Sequence, residues 1–274
     1  MRFAVLTDIH ANREAFEAVL VDAAARGVDR IALLGDLVGY GPDPEWCVDK
    51  AASLVATGAF CIQGNHDSAA AGGNESLAIN ARLAMDWTRN RLSEVHREFL
   101  AGLPLTVKVE DVLFVHASAN DPRSWIYVTS ASMAKGAFRS CDARIILCGH
   151  VHVPLLASSD VAGVVREQEF RMAMPIPLIR SRRWLAVVGA VGQPRDGVAQ
   201  AGYAMLDTGT NELTFRRVPY DAAKTVQKMR LAGLPEDLAL RLMGEPQHSC
   251  NMGSSVRYNC YFTVSYINKI IFRH

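Results

Sequence analysis

Five short apolar runs constrain this chain more than any other feature, because each stops at a residue able to bind a metal or move a proton. "FAVLT" (3–7) runs into Asp8-Ile9-His10, "RIALL" (30–34) into Gly35-Asp36, and "AFCIQ" (59–63) into Gly64-Asn65-His66-Asp67. "VLFVH" (112–116) ends on His116, and "RIILC" (144–148) leads to Gly149-His150-Val151-His152. Runs of this length and apolarity, bounded by Gly or polar residues, read as buried strands. In open α/β sheets, ligands bind beyond the carboxyl ends of the strands, where loops converge. A histidine after one strand is usually a satisfied loop residue. Asp, Asn or His after all five predicts a single shared site.

Between the first two runs, residues 12–26 have helical periodicity, with Asn12 as N-cap and Gly27 as the stop. Asp43-Pro44 reads as an N-cap followed by proline in the first turn, and 75–101 as one or two helices. From 153 to 218 the pattern turns strand-like ("GVVREQ", "RRWLAVVG", "AGYAMLD", "ELTFRRV"), and two helices follow across 220–232 and 235–243. The expected fold is α/β: two mixed sheets packed as a sandwich and flanked by helices. The domain is expected to span 1–246. From Gln247 to His274 there is no Asp or Glu, and "YNCYFTVSYINKIIF" (258–272) is β-prone and nearly uncharged, so 247–274 reads as a tail foreign to the domain.

Composition excludes several classes. The net charge of +1 gives no basic field for specific nucleic-acid binding. Six cysteines show no C-x-x-C pair and no zinc-knuckle spacing, and Cys61 and Cys148 lie in apolar runs as small buried thiols. No apolar stretch is long enough to span a bilayer, and an acid comes too early for a signal peptide. The expectation is a cytoplasmic protein without a membrane partner, with a homo-oligomer left open.

Asp8/His10, Gly35-Asp36, Gly64-Asn65-His66-Asp67, His116 and Gly149-His150-Val151-His152 resemble the five signature blocks of the calcineurin-like metallophosphoesterases. The strings "GDLVGYGPDP", "VGQPRDG" and "FRRVPYD" resemble a bacterial branch of that superfamily and carry the likeness to about residue 243. The resemblance implies the four-layer sandwich and a pair of divalent ions, Mn foremost, with Fe, Zn, Ni or Co as alternatives. It implies that Asp8, His10 and His152 hold one ion, that Asn65, His116 and His150 hold the other, and that Asp36 bridges. His66 is then the catalytic histidine and not a ligand.

The residue types suit that chemistry on their own terms. Imidazole with carboxylate favours these transition metals over calcium, and the blocks contain no cysteine for a structural zinc site. Two divalent ions, two aspartates and a bridging hydroxide leave about one positive charge, which attracts a phosphate. His66 would protonate the leaving oxygen while Asp67 orients its ring. Val151, in an extended stretch, would send His150 and His152 to different sides.

Tyr40, Arg195 and Asn12 are the candidate substrate contacts. Tyr40 stands where related phosphoprotein phosphatases carry arginine, so a guanidinium clamp is missing there; Arg195 could replace it, and Asn12 could act in the site or merely cap its helix. Arg180, Arg182 and Arg183 read as a solvated strand edge. The expected function is a binuclear metal-dependent phosphoesterase acting on phosphodiesters or small phosphorylated metabolites. A phosphatase for phosphoproteins or dinucleoside polyphosphates is the alternative, and a protein-binding scaffold on the same fold is an alternative of another class.

Overall fold

The structure, a computed structural model, describes residues 1–244; the expected tail from Gln247 lies outside them. β1 (Arg2–Leu6), β2 (Arg30–Leu33) and β3 (Phe60–Cys61) lie side by side and parallel. On the other side of β1 the sheet continues antiparallel through β11 (Ala201–Asp207), β12 (Glu212–Val218) and the two-residue β9 (Ile176–Pro177). The second sheet has the order β4 (Thr106–Val109), β5 (Val112–Val115), β6 (Ile145–Cys148), β10 (Arg183–Val187), β7 (Leu155–Ser159), β8 (Val165–Glu167). There β5, β6 and β10 are parallel and the outer pairings antiparallel. Both sheets are mixed, as expected.

The apolar runs are continuous because both faces of these strands are covered. In β1, Phe3 and Val5 point between the sheets, where they meet Phe60, Phe114, Ile145 and Leu147. Ala4 and Leu6 point outward, against Phe16 and Val19 of α1 (Arg13–Ala25) and Val48 of α2 (Pro44–Ala56). The rings of Phe3, Phe60 and Phe114 form a cluster with centroids 4.8–6.4 Å apart. Each buried ring contributes about 1.5–3 kcal/mol of transfer free energy. The short α3 (Asn65–Ala70), α4 (Ile79–Arg91) and α5 (Glu94–Ala101) complete the cover of the first sheet, and α6 (Ala131–Ser140) covers the second through Ala134, Ala137 and Phe138. α7 (Ala222–Leu231) and α8 (Glu236–Arg241) close the described chain.

Local signals hold with some exceptions. Asn12 caps α1 by accepting from the Ala15 amide at 3.1 Å, and Gly27 follows with φ +64°. Asp43 precedes Pro44 but makes no cap bond; its carboxylate is paired with Lys228 instead. The arginine cluster is not a strand edge. Arg183 opens β10, which lies inside the sheet, and its guanidinium binds the carbonyls of Phe138, Cys141 and Ala143. Among the described residues Cys47, Cys61 and Cys148 are buried free thiols, and no helix is long and apolar enough to cross a membrane.

Candidate metal centre

The carboxyl ends of β1, β2 and β3 from one sheet meet those of β5 and β6 from the other, and the loops beyond them are stitched together by backbone bonds. The amides of Asp8 and His10 donate to the carbonyls of Gly35 and Asp36, and the Gly149 amide donates to the carbonyl of His116. The turns are tight enough that Asp8, His10, Asp36, Tyr40, His150 and His152 all have φ between +48° and +66°. Left-handed backbone at non-glycine residues is uncommon and concentrates at functional sites. It also corrects one expectation: His150-Val151-His152 is a turn with Val151 N–H on the Gly149 carbonyl, not an extended stretch. The two imidazoles nevertheless part company, each joining a different cluster.

On one side, His152 Nε2 lies 3.2 Å and His10 Nε2 3.7 Å from Asp8 Oδ1. On the other, His116 Nε2 lies 3.2 Å from His150 Nδ1 and 3.3 Å from Asn65 Oδ1. Asp36 Oδ2 stands between the two groups, 3.6 Å from His10 Nε2 and 3.5 Å from His116 Nε2. Its other oxygen accepts from the His66 amide at 2.8 Å. Three sets have ligand atoms close enough to share an ion: Asp8-His10-His152, Asp36-His116-His150, and His10-Asp36-His66. Asp8 and His116 are 0% exposed, and the remaining members are nearly so.

The donor set fits cations. Carbonyls of Val38, Leu34 and Gln193 lie 3.2, 2.7 and 2.6 Å from Nδ1 of His10, His116 and His152. A carbonyl can only accept, so each ring is assigned its proton on Nδ1 and turns an Nε2 lone pair inward. Backbone carbonyls that fix the tautomer in this way are the usual support of metal-binding histidines. His10 and His152 then face each other with Nε2 atoms 3.1 Å apart, and two lone pairs at that distance repel unless a cation or proton joins them. Asp8 Oδ1 and His150 Nε2 are buried with no hydrogen-bond partner.

Electrostatics agree. Burial alone would raise the Asp36 carboxyl, but the imidazoles of His116, His66 and His10 hold it well below the usual carboxylate range. Burial opposes charge on His116, yet Asp36 outweighs it and lifts the ring to about 9. Burial, aided by His116, pushes His150 down to about 3, and burial pushes His66 down to about 4.

Asp67 does something other than orient His66. Its oxygens accept from the amides of Leu37 (2.8 Å) and Gly64 (3.0 Å), which ties the loops after β2 and β3 together, and no bond joins it to the His66 ring. Burial and the nearby Asp36 charge raise its pKa to about 7. Asn12 is fully committed as well: its amide binds Ala15, Gly192, Tyr220 and Thr225, so it holds loops rather than substrate. Tyr40 and Arg195 do reach the site. The Tyr40 ring lies 4.5 Å from both His10 and His66, and Arg195 Nη2 is 3.4 Å from the Tyr40 hydroxyl.

Two aromatic residues escaped the sequence reading. Tyr127 stacks on His150 with centroids 4.0 Å apart and rings 24° from parallel, and Trp125 meets His116 edge-on at 5.9 Å. Both come from the irregular segment after β5, where no periodicity marks them.

Glycine is required where His66 is seated. Gly39 has φ +86°, and a Cβ there would lie 2.4 Å from His66 Nδ1. Gly39→Ala is therefore expected to displace the His66 ring and to cost about 1–2 kcal/mol for the left-handed backbone alone. Urea denaturation and histidine NMR shifts check both parts; an unchanged midpoint with unmoved His66 resonances would contradict the packing.

Residues 1–211 match the calcineurin-like phosphoesterase superfamily domain. An uncharacterized protein of Methanocaldococcus jannaschii is 35% identical over 246 residues, covering 87% of this chain and 96% of its own. Among solved structures, a metallophosphoesterase from Sphaerobacter thermophilus is similar at a TM-score of 0.79 and 38% identity, over 89% of this chain and 99% of that one. A hypothetical protein from Pyrococcus horikoshii OT3 shares the fold at a TM-score of 0.70 and 20% identity, over 88% and 97%.

Proposed function

The chain belongs to the calcineurin-like phosphoesterase superfamily and is a metal-dependent phosphoester hydrolase, and on that premise we propose a binuclear enzyme for phosphodiesters or small phosphorylated metabolites. Asp8, His10 and His152 would hold one ion, Asn65, His116 and His150 the other, and Asp36 would serve both. The observation that carries this reading is Asp36 Oδ2 standing within 3.6 Å of Nε2 atoms from both clusters. When bound, the pair of divalent ions, Mn in the first instance, supplies an activated water and neutralises phosphate charge.

The rest falls to the protein's own side chains. His66 gives the leaving oxygen a proton. Asp67 fixes the loops that carry Asp36 and His66 by binding the Leu37 and Gly64 amides. Tyr40 brings a largely buried ring and one hydroxyl to the edge of the site, with Arg195 beside that hydroxyl. Tyr127 covers one face of His150 and limits the ways that ring can turn.

A monoester presents nearly two negative charges and gains most from a guanidinium beside the metals. A diester carries one charge and a second, often apolar, substituent, which suits the Tyr40 ring. With Mn²⁺ supplied, kcat/KM is expected to be higher for an aryl phosphodiester than for the matching monoester. Tyr40→Arg should move that ratio about tenfold toward the monoester, the equivalent of roughly 1.4 kcal/mol in the transition state. A wild-type protein that strongly prefers monoesters would refute the diester reading and assign the role of phosphate clamp to Arg195.

A further inference from the structure

The segment after β5 brings two aromatic rings to the pair His116 and His150. Trp125 meets His116 edge-on at 5.9 Å, and Tyr127 stacks on His150 at 4.0 Å with the rings 24° from parallel. The segment is held although it is neither strand nor helix. Trp125 takes left-handed backbone at φ +51°, and Val128 is buried in the cluster of Val115, Ala134, Ala137 and Phe138. Ser130 then caps α6 by accepting from the Met133 amide. Tyr127 thus sits between a ring seated on the histidines and a valine anchored in the core.

The aromatic rings divide the histidines between them. Tyr40 lies against His10 and His66, whereas Trp125 and Tyr127 lie against His116 and His150. They also differ in access to solvent: Tyr40 is 9% exposed and Tyr127 49%. Among the described residues Tyr127 is the only exposed aromatic side chain. A half-exposed ring is ordinary on a protein surface. This one is stacked on a member of a buried polar cluster, with one face covered by the imidazole and the other left open. An open aromatic face favours another planar ring over an aliphatic group of equal bulk, because the two π-systems stack or meet edge to face.

We infer that Tyr127 determines specificity, its open face taking a planar aromatic group on the ester substituent that stays on phosphorus. His66, the proton donor to the leaving oxygen, keeps company with His10 and Tyr40, and Tyr127 with His150 across Asp36. The leaving group and the retained substituent are therefore assigned to opposite sides of the cluster. The substrate class narrows to phosphoesters with a flat ring, hydrocarbon or nitrogen heterocycle, a short chain from phosphorus. This rests on the cluster being the hydrolytic site.

The test uses three 4-nitrophenyl phosphodiesters that share a leaving group and differ in the second substituent: benzyl, cyclohexylmethyl and 2-(adenin-9-yl)ethyl. The first two attach through the same CH₂ and have similar bulk, so they differ chiefly in flatness. With the full chain and Mn²⁺, kcat/KM for the benzyl ester should exceed that for the cyclohexylmethyl ester by about two- to twelvefold, as an aromatic pair implies. The adenine ester above the benzyl ester identifies the planar group as a heterocycle, and below it as a hydrocarbon ring. Calorimetric Kd values for benzylphosphonate and cyclohexylmethylphosphonate should show the same preference without turnover. The benzyl preference should persist in Tyr127→Phe and vanish in Tyr127→Leu. A mere prop for His150 would act on both esters alike and leave their ratio unchanged. Equal kcat/KM for the benzyl and cyclohexylmethyl esters in wild type would overturn the role, as would a preference undiminished in a folded Tyr127→Leu. If the leucine variant does not fold, Tyr127→Trp decides: its larger face should raise the ratio, and an unmoved ratio would overturn the role. No hydrolysis of any of the three esters would instead overturn the phosphoesterase reading, and the role of Tyr127 with it.

Discussion

On the proposed binuclear reading, Asp36→Asn should cost the protein both metal ions and nearly all of its turnover. Asp36 Oδ2 is the atom that both clusters approach, 3.6 Å from His10 Nε2 and 3.5 Å from His116 Nε2. An amide there removes a full negative charge from between the two ligand clusters and puts either a weaker donor oxygen or an N–H group in its place. The surroundings make that loss severe, since three imidazoles already hold the Asp36 carboxyl ionised against a burial that favours the neutral form. The fold has less at stake: the Asp36 Oδ1 bond from the His66 amide can be kept by the asparagine carbonyl. The expected activity loss exceeds the roughly 10–100-fold typical of removing a residue that merely supports a ligand. His152→Ala is the contrast, because its Nε2 faces only Asp8 and His10, and it should weaken one ion more than the other. Elemental analysis of both variants, with thermal unfolding as a control, decides the matter. Full double occupancy with unchanged activity in Asp36→Asn would refute the bridging role.

The sequence displayed this site because strands buried on both faces leave nothing polar in their interiors, so the first polar residue after each run marks the edge. β1, β2, β5 and β6 were legible for that reason, and so was the convergence of their ends. β4 and β9 were not: one is a short half-buried edge strand and the other is two residues long, so neither develops a pattern. α6 is a ten-residue helix, "ASMAKGAFRS", and Gly136 in its interior lowers the helix propensity of a segment that short.

Adjacency misled in two places. Asp67 follows His66 in sequence, but at the third position of a helix a carboxylate turns back to the amide preceding the helix, here Gly64, rather than to its neighbour's ring. The Val151 spacing separates His150 from His152 through left-handed turns instead of strand alternation. Tyr127 was invisible for the opposite reason, since the imidazole it stacks on lies in a different loop.

His66→Ala should leave the metals in place and lower turnover by about 10²–10⁴-fold, the usual range for a general acid. The geometry alone permits two roles, because a His66 nitrogen also lies close enough to His10 and Asp36 to share an ion with them. Its surroundings favour the acid. The ring is wedged between Tyr40 and His10 at 4.5 and 4.9 Å, and no backbone carbonyl fixes its Nδ1 as carbonyls fix Nδ1 of His10, His116 and His152. Burial holds its pKa near 4 in the free protein, so the ring is neutral at neutral pH, and an anionic substrate raises it toward the range where it can donate. Loss of such a donor matters most when the leaving oxygen is basic. Phenyl and alkyl esters should therefore suffer more than 4-nitrophenyl esters, while metal content stays at the wild-type value. Gly39→Ala, which crowds the ring without removing it, should give a smaller loss with the same leaving-group trend. An alanine variant short of one equivalent of metal would make His66 a ligand. The proton would then have to come from elsewhere, and the Tyr40 hydroxyl, raised by burial above its ordinary value and thus protonated at any working pH, is the next group to substitute.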